Sequence, residues 1–171
     1  EKAIAEGYQS SLWAYACIKR RVDAVCSVPW AVEIKRGDEW ERDDNHELNR
    51  LLQDPNPEMD WQELMSLMVT HLDLAGNGFW HKVRVQGKVR ELWPLMPQTV
   101  KVIPGRIQII EAYQIGSSPG ARVEAADITH MAYTNPNSLL YGQSPLMAVG
   151  KAVDVDNSAA AWQKISMQNR G

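Results

Sequence analysis

Four histidines, two cysteines and three glycine-bearing turns are the groups in this chain whose chemistry needs testing first. His46, His71, His81 and His130 stand far apart, and none has the HExxH or His–Cys spacing that gathers ligands around one metal. His71 and Asp73 are two residues apart, which on a helix turns them to different sides. Gly142-Gln143-Ser144 invites comparison with the turn that exposes a nucleophilic serine. That turn needs a second glycine two residues beyond the serine, where this chain has Pro145-Leu146 instead. Gly76-Asn77-Gly78 lacks the spacing of a dinucleotide loop, and no P-loop lysine follows any glycine run. The expectation is a chain that is not an enzyme, with no catalytic residue, no metal site and no cofactor. An enzyme of another kind would betray itself by a deep pocket of clustered titratable groups.

Binding chemistry has one candidate. Lys82, Arg84, Lys88 and Arg90 form the concentrated basic patch of the sequence, on a hairpin that offers cations to phosphates. This supports an alternative reading as a non-enzymatic DNA-binding module. The net charge of −3 argues against it, because dedicated nucleic-acid-binding domains usually carry a basic excess or a stripe. Seven tryptophans accompany a single phenylalanine. Trp13, Trp61 and Trp162 fall on helical faces beside other apolar residues, which favours core or subunit contacts over base stacking.

The elements that must position these groups are readable from period and punctuation. Leu12, Ala16, Val22 and Val25, with Trp13, Cys17 and Cys26 beside them, recur at helical spacing over residues 11–27, and Pro29 stops that helix. Cys17 and Cys26 are then about 13 Å apart by helical rise, beyond disulfide reach, and are read as small core residues. Residues 30–34 read as a strand, Arg36-Gly37-Asp38 as its turn and Trp40 as its return, with Asn45 capping a short helix through Leu52. The clearest helix covers residues 60–75. Asp60 and Glu63 form its capping box, and Trp61, Leu64, Met65, Met68, Leu72 and Ala75 its buried face.

From Phe79 onward the period becomes two, Val83 and Val85 alternating with Lys82 and Arg84. Gly87-Lys88 is read as a type II′ turn that sets Arg84 opposite Glu91 and Val83 opposite Leu92. Residues 100–102, 106–115 and 128–133 read as further strands, and 117–120 as a loop. The fold class expected is α+β, one domain over residues 1–171, its helices packed on a mainly antiparallel sheet. A long C-terminal helix over 144–169 should follow, seamed by Val149, Val153, Ala160 and Ile165 and weakened near 155–158. No apolar run approaches the roughly 20 residues that span a bilayer, and the basic-then-apolar pattern of a signal peptide is missing from the N-terminus.

Several short runs are ordinary punctuation singly. Pro55-Asn56-Pro57 forces an extended turn; Gly76-Asn77 ends a helix in the left-handed region; Gly142 allows a sharp turn into a helix that Ser144 caps and Pro145-Leu146 begins. Their order is less ordinary. Ala14-Tyr15-Ala16-Cys17-Ile18, Val25-Cys26-Ser27-Val28-Pro29-Trp30, His46-Glu47-Leu48, Leu51-Leu52, Pro55-Asn56-Pro57, Gly76-Asn77, Gly87, Leu92-Trp93-Pro94-Leu95, Asp127-Ile128-Thr129-His130 and Gly142-Gln143-Ser144-Pro145-Leu146 follow one another as a set. From about Leu12 to the end, the chain resembles the portal proteins of tailed double-stranded-DNA bacteriophages and their prophages.

The resemblance implies a structural subunit of a homo-oligomeric ring, a dodecamer when full length, at one vertex of the virion capsid. Double-stranded DNA would enter and leave through its bore, with terminase, head–tail adaptor and capsid proteins as partners, no membrane, and a period in the host cytoplasm before assembly. The chemistry of packaging would belong to terminase. It also implies that this chain is the N-terminal wing portion, with stem, clip and crown largely absent, and that Val149, Val153 and Ile165 lie at a subunit contact.

Overall fold

The structure is a computed structural model that describes residues 12–117 and 120–147. Its elements run α1 (Leu12–Cys26), β1 (Glu33–Arg36), β2 (Glu39–Arg42), α2 (Glu47–Gln53), α3 (Trp61–Ala75), β3 (Asn77–Val85), β4 (Lys88–Leu95), β5 (Val100–Pro104), β6 (Ile110–Ile115), β7 (Ala121–Glu124) and β8 (Ile128–Ala132). The class is α+β, as the change of period implied, and every strand pair is antiparallel. The expected single sheet is two, with strand orders β4-β3-β8 and β5-β6-β7, and β1-β2 stands apart as a hairpin.

Strand β3 organises the layers. Successive side chains of a strand point to opposite faces, so Phe79 enters the core between the sheets with Val100, Val102, Tyr113 and Ile128. Its neighbour Trp80 turns the other way, onto Leu64 and Met68 of α3 and Leu92 of β4. The helix above this sheet is held at both ends. Asp60 accepts from the Glu63 amide at 2.8 Å while the Glu63 carboxylate accepts from the Asp60 amide at 3.1 Å. At the other end Gly76 sits at φ 73° and donates its amide to Leu72, the left-handed stop that a β-carbon disfavours.

Helix α1 packs on α3 with a face that shares only Val22 and Cys26 with the expected stripe. Ala14, Ile18 and Val22, spaced by four, are its buried residues, and Ile18 and Val22 meet Val69 and Leu74. Leu12 and Trp13 are 77% and 71% exposed, Val25 is exposed, and Ala16 is too. Cys17, expected in the core, is exposed, while Cys26 is half-buried; both are free thiols. The helix carries apolar residues on both sides, so period alone cannot choose which side is buried.

Three local expectations also change. The β3–β4 turn is Gln86-Gly87, both at positive φ (51° and 79°), which is the pattern of a type I′ turn. With a bulge between Val83 and Arg84, Val83 faces Glu91 and Arg84 faces Val89. Helix α2 is capped by His46, whose ring accepts from the Leu48 amide, and not by Asn45. Strand β7 is an addition that the period does not announce. The chain turns helical at residues 145–147; Val149, Val153, Ala160, Trp162 and Ile165, and most of the expected C-terminal helix, lie outside the described residues.

Candidate functional site

The motif residues Gly76, Asn77, His130, Gly142 and Ser144 meet at the end of α3. Gly76 ends the helix there, and its carbonyl accepts from the Tyr133 amide at 2.9 Å, just past β8. Asn77 follows with its side chain at the hub. Its Oδ1 accepts from the Gly142 amide at 2.7 Å and from His130 Nε2 at 3.1 Å. Its Nδ2 donates to the Ala75 carbonyl at 2.8 Å and to that of Gly142 at 3.3 Å. Asn77 thus uses both ends of its amide to tie α3 to the turn before Ser144 and to β8.

Glycine is needed twice in this knot because backbones touch. A β-carbon on Gly142 would stand 2.7 and 2.8 Å from the amide nitrogen and carbonyl oxygen of Tyr133, and one on Gly76 would stand 2.5 Å from the Gln143 carbonyl carbon. Ser144, 1% exposed, donates its hydroxyl to the Asp73 carbonyl at 2.6 Å and accepts from the Leu146 amide at 3.1 Å. Both capacities of the oxygen are used, one as the helix cap that Pro145-Leu146 requires. The comparison with a nucleophilic serine ends on that geometry.

Beside the knot lies a buried carboxylate that sequence reading did not single out as a site. Asp73 is 1% exposed. Its Oδ1 accepts from the Tyr133 hydroxyl at 2.9 Å and from the Arg21 guanidinium at 3.2 Å, and Arg21 also donates to that hydroxyl at 2.8 Å. Burial, then the bond to Asp73, hold the Tyr133 hydroxyl above its ordinary pKa, which keeps it a donor. The triad joins α1, α3 and the end of β8. A single Asp inside an apolar helical face was its only sequence signal.

Pro55-Asn56-Pro57 docks elsewhere, on β4. Leu92 donates its amide to Pro55 at 2.7 Å and accepts from Asn56 Nδ2 at 2.8 Å, while Asn56 Oδ1 closes its own turn on the Glu58 amide. The basic hairpin is partly neutralised. Arg84 pairs with Asp127 at 2.7 Å and Lys88 with Glu47 at 2.6 Å, and the Lys88 ammonium holds the Glu47 carboxyl below its usual range. Two of the four patch cations, Lys82 and Arg90 being the others, are spent on carboxylates before any phosphate arrives.

The four histidines remain dispersed. Among the described residues no three of His, Cys, Asp and Glu gather where a metal ion could be held. His130 stacks on Phe79 with ring centroids 4.3 Å apart and meets Tyr113 edge-on; burial depresses its pKa and that of His71 below the ordinary 6.5. The unfolded chain therefore takes up protons first as pH falls, and the stability present above about pH 6.5 declines below it. Urea midpoints should be flat near pH 7 and fall toward about pH 5. His130→Gln, which keeps a donor for Asn77, should flatten that slope; an unchanged slope in both His130→Gln and His71→Gln would refute the assignment.

What fold and site define together is a structural α+β domain whose glycine, asparagine and serine motifs are consumed in joining its own elements. Residues 13–171 match the family described as phage portal protein, and the chain belongs to that family. It is 23% identical over 171 residues to an uncharacterized protein of Rickettsia bellii (strain RML369-C), covering 96% of this chain and 43% of that one. It is 33% identical over 95 residues to Protein BeeE of Escherichia coli (strain K12), covering 55% of this chain and 60% of BeeE. Among solved structures it resembles a chain in the neck of an empty GTA particle, computed with C6 symmetry (25% identical, TM-score 0.86, covering 98% of this chain and 46% of the other). A chain in the neck of the native particle, computed with C12 symmetry, shares the fold at TM-score 0.83 with 24% identity, again covering 98% of this chain and 45% of the other. The chain thus spans roughly half the length of the relatives it matches. No helix among the described residues is long and apolar enough to cross a membrane.

Proposed function

We propose that this chain is the wing portion of a subunit in a homo-oligomeric portal ring, set at the capsid vertex of a phage-like particle and present in the host cytoplasm before assembly. In that reading double-stranded DNA passes through the bore during packaging and ejection, and the ring is the platform on which terminase, head–tail adaptor and capsid proteins dock. The observation that carries it is the family match over residues 13–171. The C6 and C12 symmetry of the neck particles supports the ring.

The physical demands on such a subunit are stable cyclic contacts and a surface that does not grip phosphates tightly. A net charge of −3 and a basic hairpin paired internally with Asp127 and Glu47 suit the second demand better than they suit a DNA-binding module. Light scattering on the protein expressed from its whole reading frame tests the proposal. A mass many times that of one chain, with weak retention of DNA at physiological salt, is expected. A monomer that binds duplex DNA with steep salt dependence would favour the module instead.

A further inference from the structure

Two surfaces at opposite ends of α1 are open, and they complement one another. The outward side of the helix, facing away from Ile18 and Val22, carries Leu12, Trp13, Cys17 and Arg20; all four are exposed. About 20 Å away by helical rise, a groove of about 480 Å³ opens between the end of α1 and the first turn of α3. Its walls include Val28, 63% exposed, and the tilted pair Trp30 and Trp61 with centroids 5.3 Å apart. Past Asp60 and Gln62 the groove continues into a second hollow lined by Glu58 and Glu63. Among the described residues neither hollow is lined by a cation. Arg20 has no ion-pair partner among the described residues.

We propose that the outward face of α1 of one copy seats in the Trp30–Trp61 groove of a second copy, with Trp13 packed against that ring pair and Arg20 toward the acidic rim. The apolar surfaces lose water together, and a cation meets carboxylates that have no lysine or arginine in an ion pair with them among the described residues. The two patches differ, so the contact is head-to-tail: each copy offers a helix at one end and a groove at the other. Such contacts repeat until a rotation closes them into a ring. This inference rests on the ring reading and adds to it the residues that would join neighbours.

Site-directed crosslinking tests it. Cys17 is native on the helix face; Gln62→Cys places a second thiol at the groove, and Cys26→Ser, with any cysteine outside these 171 residues also replaced by Ser, leaves only that pair. Mild oxidation should give a covalent ladder running past dimer to trimer and higher species on a non-reducing gel. Trp13→Asp in the same background should reduce the ladder at least tenfold while leaving the circular dichroism and thermal midpoint unchanged, since Trp13 is 71% exposed. Dimers alone, a ladder indifferent to Trp13→Asp, or no ladder would overturn the contact, as would a Cys17 shielded from thiol reagents in a monomer. The two failures are distinguishable. Ring-sized particles in which Cys17 does not crosslink to the thiol introduced by Gln62→Cys sink this contact and leave the ring reading standing, whereas a whole protein that stays monomeric sinks the ring reading itself.

Discussion

Gly142→Ala should be among the most damaging single substitutions in the chain, costing about 3 kcal/mol or more of folding stability. The added carbon would meet the amide and carbonyl of Tyr133 at 2.7 and 2.8 Å. Those are backbone atoms, the amide already committed to its bond to the Gly76 carbonyl, so no side chain can swing aside to make room. Relief requires residues 142–144 to lift away, which would also break the Gly142 amide bond to Asn77 and the Ser144 bond to Asp73. Gly87→Ala is the control, because a β-carbon there meets nothing within 4 Å and only the positive φ of 79° opposes it; its cost should be about 1 kcal/mol. Urea unfolding of the two variants, compared at equal slope, gives the difference. Equal midpoints would show that the close approach at Gly142 is not rigid.

Arg21→Ala should come next, at about 2–3 kcal/mol. Removing the guanidinium leaves Asp73 inside the fold at 1% exposure, with the Tyr133 hydroxyl as the one donor to Oδ1 and no partner for Oδ2 among the described residues. Arg21 is itself half exposed, so solvent screens part of the attraction and the full cost of a buried pair is not expected. Tyr133→Phe removes two hydrogen bonds, the one to Asp73 and the one from Arg21, but leaves the ion pair, and should cost about 1–2 kcal/mol. Denaturant midpoints in this order support the triad as the clamp of α1 on α3. An Arg21→Ala protein as stable as its parent would mean that α1 is held by Ile18 and Val22 alone.

How much of this was legible depended on whether the controlling interaction was local. Asp60 and Glu63 lie within one turn, so the capping box of α3 could be read with its ends; of its buried residues Leu64 and Met68 were read, while Trp61, Met65, Leu72 and Ala75 are only half-buried and Val69, Asp73 and Leu74 take their place in the core. Gly76 as a helix stop and Ser144 as a cap were readable for the same reason. The meeting of those two places was not, because it is made by the Asn77 side chain and by backbone approach across 65 residues. Asp73 offers one local relation, the helical pair with His71, and nothing nearby in sequence marks its partners Arg21 and Tyr133. The buried side of α1 is ambiguous in sequence, since Leu12 and Ala16 stand four apart on one side just as Ala14, Ile18 and Val22 do on the other. The hairpin register differs, by two at Arg84 and by one at Val83, because the turn falls at Gln86-Gly87, one residue earlier than read, and a bulge between Val83 and Arg84 takes back one position; neither leaves a mark in an alternating pattern. What the order of motifs conveyed was the family, and the structure shows why: Asn56, Gly76, Asn77, Gly142 and Ser144 each hold two distant segments together, so their types and spacing are set by the fold.

Imaging settles the portal reading most directly. Negative-stain class averages of the protein expressed from its whole reading frame should show rings with a central opening wide enough for duplex DNA, about 20 Å or more, as expected of a closed head-to-tail assembly. Compact particles without an opening, or a uniform field of monomers at concentrations where light scattering also finds one chain, would contradict it.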